Sequence, residues 1–230
     1  MAESYHAIVR HGAYRQRPGA PSARQPFALS DEGLRQASDC GDALAGMLAE
    51  HGLSLDPVVH ASRQLRAWQT ASGIAERLRA HGHRVDEIRE TSALAERGLG
   101  SVANLTVAEI EAVLAEDPRF GAPPLGWKSD SDYRLPLEGA ESLSEAGARV
   151  AGHLQAAADA ARGGTLTVHV GHGASFRHAC AQLGILRRDE VAGLSMFHAR
   201  ALLLCYRGHG RWSHVAGTWK IRAPKDEPVD

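Results

Sequence analysis

The sequence predicts an α/β protein: a three-layer α/β/α sandwich around a mostly parallel central sheet, with a lid-like insertion. Two observations carry this. Short apolar runs of strand character alternate with longer stretches of helical spacing, the order that builds a parallel sheet covered on both faces. Two of those runs end on a histidine followed by a glycine, and open α/β sheets hold their ligands beyond the carboxyl ends of the strands.

The elements follow in order. His6-Ala7-Ile8-Val9 reads as a buried strand that runs into Arg10-His11-Gly12. Residues 14–27 hold Pro18, Gly19, Pro21 and Pro26 among arginines, so they form a loop. Ser30 is a candidate N-cap, and apolar positions Leu34, Ala37, Leu44, Met47 and Leu48 carry a helix to Glu50, stopped by Gly52. Pro57 to Ala61 is a second strand, and Arg66 to Leu78 a second helix. Val85 to Leu94 contains a third strand. Thr106 to Glu109 and Ser142 to Glu145 are capping boxes, the first opening a helix to Leu114, the second a long helix to Arg162. The stretch 117–137 is rich in Pro, Gly, Asp and Ser. Leu166 to Val170 is the strongest strand signal, followed by a helix from Ala174 to Leu183. Ala201 to Tyr206 and Trp212 to Gly217 close the fold as two strands, and the charged tail from Ala223 is expected to fray. The expected organisation is one domain over 1–230 with residues 97–137 as an insertion or lid.

Bulk composition narrows the function. A net charge of -1 offers no field for nucleic acid or an anionic membrane, and no apolar run reaches membrane-spanning length. Cys40, Cys180 and Cys205 lack metal-ligand spacing. Their odd number, and a strand signal close to the N-terminus, point to a cytoplasmic protein. No His-Glu-x-x-His spacing supports a metal-dependent hydrolase. Any bound anion must therefore be held by local clusters of positive charge.

His11 and His172, with Arg10 and Arg66, supply such a cluster if the three strand ends converge. A neutral imidazole is a nucleophile near pH 7, and guanidinium groups beside it keep its lone pair available. The same groups grip phosphate oxygens and absorb transition-state charge. A helix opening at Gly173 would aim free N–H groups at the anion. Phosphoryl transfer also needs a carboxylic acid to protonate a leaving alkoxide. Glu96 is the best placed, ahead of Glu138 and Glu141.

The same residues resemble a known family. Ile8-Val9-Arg10-His11-Gly12 is similar to the signature of the histidine phosphatase superfamily, in its phosphoglycerate mutase-like branch. Leu29-Ser30 through Gly33 to Gln36-Ala37 resembles the next motif, and Ser62 with Arg66-Ala67 and Thr70 the one after it. Leu94-Ala95-Glu96-Arg97, Gly139-Ala140-Glu141-Ser142 and Val170-Gly171-His172-Gly173 complete the order. The resemblance implies that His11 is the phosphorylated nucleophile, that Arg10, Arg66, His172 and Gly173 hold the phosphoryl group, and that Glu96 is the proton donor. His172 joins His11 and Glu96 as a catalytic residue. Ala13-Tyr14 stands where mutases carry Glu-Ser, and Gly171 where Ser or Thr is common. These departures favour a metal-independent phosphatase of a small phosphomonoester over a mutase, and the insertion at 117–137 argues against a phosphoprotein phosphatase.

No cofactor is invoked. The expected partner is a small phosphorylated metabolite, neither nucleic acid nor membrane, and a homodimer is left open. Tyr14, Arg17 and Arg97 are candidate substrate-pocket residues. Among the thirteen histidines, His6, His60, His169 and His178 are expected in the core. His51, His81, His83, His209 and His214 are expected at the surface, and His198 near the site without a catalytic role.

Overall fold

The computed structural model describes residues 3–222. The expected fraying from Ala223 lies outside them. A six-stranded sheet runs in the order β3-β2-β4-β1-β6-β7, with β1 Ser4–Arg10, β2 Ser54–Ser62, β3 Glu87–Thr91, β4 Thr165–Gly171, β6 Ala201–Tyr206 and β7 Trp212–Ala216. The first four named neighbours are parallel; β6 and β7 are antiparallel additions at one edge. Among the described residues four α-helices flank the sheet, α1 Asp31–His51, α2 Leu65–Ala80, α4 Leu143–Ala160 and α5 Gly173–Gln182, while α3 Val107–Glu116 packs apart from it. The three-layer α/β/α expectation is met.

Alternation along the strands assigns the layers. Ala7, Val9, Val59, Ala61, Val168 and Val170 face α1 and α2, while Ile8, Leu202 and Leu204 face α4 and α5. Both capping boxes form, at Thr106 with Glu109 and at Ser142 with Glu145, and Ser30 caps α1. Gly52 ends α1 in the left-handed conformation. Strand β2 begins three residues before Pro57, and its pairing with β4 shifts register between Leu55 and Val59. That irregularity accommodates a proline, which cannot donate to the ladder.

Leu34 departs from expectation: it is 47% exposed. The buried face of α1 runs through Gly33, Ala37, Cys40, Gly41, Leu44 and Leu48. Gly33 takes the inner position because a Cβ there would lie 1.9 Å from the Ala13 carbonyl oxygen. A two-stranded ladder of β5 Leu194–Ser195 and β8 Lys220–Ile221 was not expected; two residues leave no periodicity to read.

Segment 97–137 contributes α3 and a third apolar cluster, in which Leu99, Val102, Ile110, Leu114, Trp127 and Leu135 pack with Ala23 of the first loop. Trp127 donates its indole N–H to Glu111, so it packs the segment rather than lining a cleft. Among the described residues no helix is long and apolar enough to cross a membrane.

Candidate active site

The parallel register brings the two His-Gly turns together. Arg10 pairs with Gly171 at the end of the β1–β4 ladder, and the His11 N–H donates to the Gly171 carbonyl. The imidazole rings of His11 and His172 then lie 5.1 Å apart. Close backbone approach makes this possible. A Cβ on Gly12 would meet the Gly33 carbonyl oxygen at 2.6 Å, and one on Gly171 would meet the Phe176 ring at 2.9 Å. Gly173 is less tightly placed, since its Cβ would lie 3.2 Å from Cδ of the flexible Arg10 side chain. Glycine lets β1, α1 and α5 crowd one point.

His11 is 1% exposed. Its Nδ1 lies 2.8 Å from the Gly12 carbonyl oxygen. A carbonyl only accepts, so Nδ1 carries the proton and Nε2 keeps the lone pair. Burial, then the charges of Arg66, His172 and Arg10, hold the His11 pKa well below its usual value. The ring is thus neutral near pH 7.

Arg66, at the start of α2, is fully buried. Its Nη1 donates to the Gln25 carbonyl and its Nη2 to those of Ser22 and Ala23, at 2.8 to 3.1 Å. Nη2 also lies 3.2 Å from His172 Nδ1. Burial lowers the guanidinium pKa to about 10, so it stays charged. The bond from Arg66 makes His172 Nδ1 the acceptor, and Nε2–H donates to Ser62 Oγ at 3.0 Å. Both histidines therefore have one assigned tautomer, fixed from opposite sides. Arg10 donates to the Met196 carbonyl at 3.1 Å. Its flank is closed by His198, whose Nδ1 donates to the His11 carbonyl at 2.8 Å.

Glu96 is 4% exposed. Its carboxylate accepts from the N–H groups of Arg97, Ala174 and Ser175. This corrects one expectation: the first N–H groups of α5 are not free for a ligand, because a side-chain carboxylate already caps them. A negative group there complements the partial positive charge of a helix N-terminus. The segment carrying Glu96 is clamped by Arg149, which donates to the carbonyls of Ala93 and Ala95 and grips Glu141 with two bonds of 2.8 and 2.9 Å. Glu141 is thus occupied as a brace, and Glu138 is exposed.

The remaining candidates separate. Tyr14 stands edge-on to His11 with ring centroids 5.2 Å apart, under the Arg66 guanidinium. Arg97 is buried and lies over the Trp127 ring. It lines a small cavity with Glu96, Pro21, Ala23 and Ala174. Arg17 turns outward instead, donating to the Asn104 carbonyl and pairing with Glu109 at 3.3 Å. It ties the first loop to the insertion because Glu109, at the start of α3, presents the nearer anion. Arg177 faces neither pocket nor solvent but donates to the Leu194 carbonyl.

Sequence reasoning passed over Ser62, Thr70 and Arg149 as individuals. Thr70 accepts from the Gly12 N–H and donates to the Arg66 carbonyl, so it joins the two motifs directly. Ser62 and Thr70 stood inside a motif already noticed. Nothing local marked Arg149.

A family model described as the histidine phosphatase superfamily (branch 1) matches residues 7–217. No curated protein matches. Among solved structures, a mycobacterial protein called hydrolase 1 is 25% identical with a TM-score of 0.68, the alignment covering 93% of this chain and 97% of that one. Mycobacterial glucosyl-3-phosphoglycerate phosphatase in complex with VO3 is 26% identical, with a TM-score of 0.63 and coverage of 94% and 98%. A phosphoserine phosphatase variant from Entamoeba histolytica, in complex with phosphoserine, shares the fold at 15% identity, TM-score 0.61 and coverage of 93% and 95%.

Proposed function

Because the chain belongs to branch 1 of the histidine phosphatase superfamily, we propose that it hydrolyses a small phosphomonoester without a metal ion, through a phosphohistidine on His11. The family and its neighbours make it a phosphatase-type enzyme. The observation that carries the finer reading is the His11 tautomer. Its Nδ1–H is spent on the Gly12 carbonyl, which leaves Nε2 as a neutral nucleophile between two guanidinium groups and a second imidazole.

In the first step Nε2 attacks phosphorus, the bond to the leaving oxygen breaks, and that oxygen takes a proton from Glu96, which enters this step as the carboxylic acid. In the second step water attacks phosphorus and gives its proton to Glu96, the Nε2–P bond breaks, inorganic phosphate is released and His11 recovers its lone pair. Arg10, Arg66 and His172 stabilise the charge on the equatorial oxygens. The first loop is the part that must yield to substrate. Its carbonyls at Ser22, Ala23 and Gln25 occupy Arg66, so an entering phosphoryl group displaces them and lifts the loop. The loop and the insertion then act as a lid, which supports a small substrate rather than a protein face.

Hydrolysis over mutase transfer is supported at Ala13-Tyr14. Ala13 spends its N–H on Gln36 and its carbonyl on Ser30, and Tyr14 packs on His11. Ala13 thus offers no group to a rearranging second anion, and the Tyr14 hydroxyl is engaged, donating to Ser22 Oγ at 3.0 Å. Phosphate release from an aryl phosphate, with and without chelator, tests the reading. Turnover that survives chelator and vanishes in His11→Ala supports it. Turnover abolished by chelator and restored by metal refutes it.

A further inference from the structure

A second cluster of histidines lies under α4, apart from the phosphate pocket. On the sheet face opposite α1 and α2, His60 of β2 and His169 of β4 are register partners. His153 of α4 descends onto them, with ring centroids 5.1 Å from His60 and 5.5 Å from His169. One nitrogen from each ring lies within 4.8 Å of the other two. An ion at their centre is then at most about 2.8 Å from each nitrogen. Small side-chain adjustments bring that to the about 2.0–2.1 Å of a zinc–imidazole bond.

The hydrogen bonding points the same way. His60 Nδ1, His153 Nε2 and His169 Nδ1 are buried and have no hydrogen-bond partner. Buried polar atoms without partners are rare, and one on each ring of a single cluster calls for a common ligand. His169 is fully buried, and its other nitrogen is spoken for: Nε2 lies 3.1 Å from His6 Nδ1, and His6 Nε2 lies 3.2 Å from Ser4 Oγ. If each ring donates outward along this chain, His169 Nδ1 keeps a lone pair with no protein partner. The reverse order would bury an N–H there with no acceptor. An imidazole oriented by a second hydrogen bond is the usual support of a metal ligand. The cluster borders a cavity of about 350 Å³ lined also by Asp56 and Arg89. Water can fill an open coordination position from there, and the Asp56 carboxylate offsets the positive charge of Arg89.

We propose that His60, His153 and His169 form a binding site for a divalent transition metal ion, Zn²⁺ by its donor set of three imidazoles. The site holds β2, β4 and α4 together and supplies no group to the phosphoryl-transfer steps, so its failure would leave the phosphatase reading untouched.

The test is calorimetric titration of ZnSO₄ into the full-length, tag-free chain after chelator treatment and dialysis. One ion per chain is expected. His153→Ala, a change on the half-buried helix face, should weaken binding by at least about tenfold, as should His60→Ala, with folding checked by circular dichroism. His11→Ala should bind like the parent. The proposal is overturned if the parent takes up no zinc, if uptake survives both His153→Ala and His60→Ala, or if His11→Ala abolishes it.

Discussion

Lowering the pH tests how the insertion is fastened to α5, the helix whose N-terminus Glu96 caps. His178 of α5 donates from Nδ1 to the Ala174 carbonyl at 2.8 Å, and its Nε2 accepts from Ser131 of the insertion at 3.1 Å. Burial pushes its pKa down to about 4. The folded state therefore prefers the neutral ring, whereas the unfolded chain takes up a proton near the usual histidine value. Stability from this group is whole above that value and is lost as pH falls towards the folded one. From about pH 7.5 to about pH 5, the difference in proton uptake costs about 2 kcal/mol. A folded pKa one unit higher or lower changes this little, because most of the loss comes from protonating the unfolded state. Urea unfolding of the parent and of His178→Gln at both pH values measures it. The parent should lose about 2 kcal/mol more than the variant over that range. Equal losses would mean that the ring protonates freely in the folded protein, and that the packing described around Ser131 is wrong.

Three further outcomes follow from the site. Arg66→Lys keeps a charge but loses the planar fork, and turnover should fall by about two powers of ten or more; a near-normal rate would remove Arg66 from the pocket chemistry. Gly33→Ala forces a Cβ against the Ala13 carbonyl, so urea unfolding should show a loss of about 1–3 kcal/mol, and an unchanged midpoint would contradict the close approach of α1 to β1. Glu96→Gln should slow alkyl phosphates far more than activated aryl phosphates, while Glu141→Gln, a brace for Arg149, should leave that selectivity as it is. Equal slowing of both substrate types by Glu96→Gln would remove it from proton transfer.

Much of this was readable from the chain alone, for physical reasons. Strands β1 and β4 are buried along most of their length, so they read as mostly apolar runs, and the His-Gly turns that end them mark where ligands bind. Caps at Ser30, Thr106 and Ser142 are local side-chain to backbone bonds, and local chemistry is what a sequence states directly. What escaped depends on distant partners. Leu34 fits the helical spacing as well as Gly33 does, and only the approach of Ala13 decides between them. Glu96 could be picked as a carboxylate near the site, but not as the cap of α5. Spacing was a poor guide to the second histidine cluster. His169 and His172 are three residues apart yet join different groups, while His60, His153 and His169 are brought together by strand pairing and helix packing.

The account rests on His11 carrying the phosphoryl group between substrate and water. Rapid quenching in base during turnover, followed by peptide mass spectrometry, reads this directly, because phosphohistidine survives base and is lost in acid. The expected result is a phosphate on His11 that forms within one turnover and never appears in His11→Ala. Phosphate found on any other side chain would contradict the mechanism, as would steady turnover with an unmodified His11.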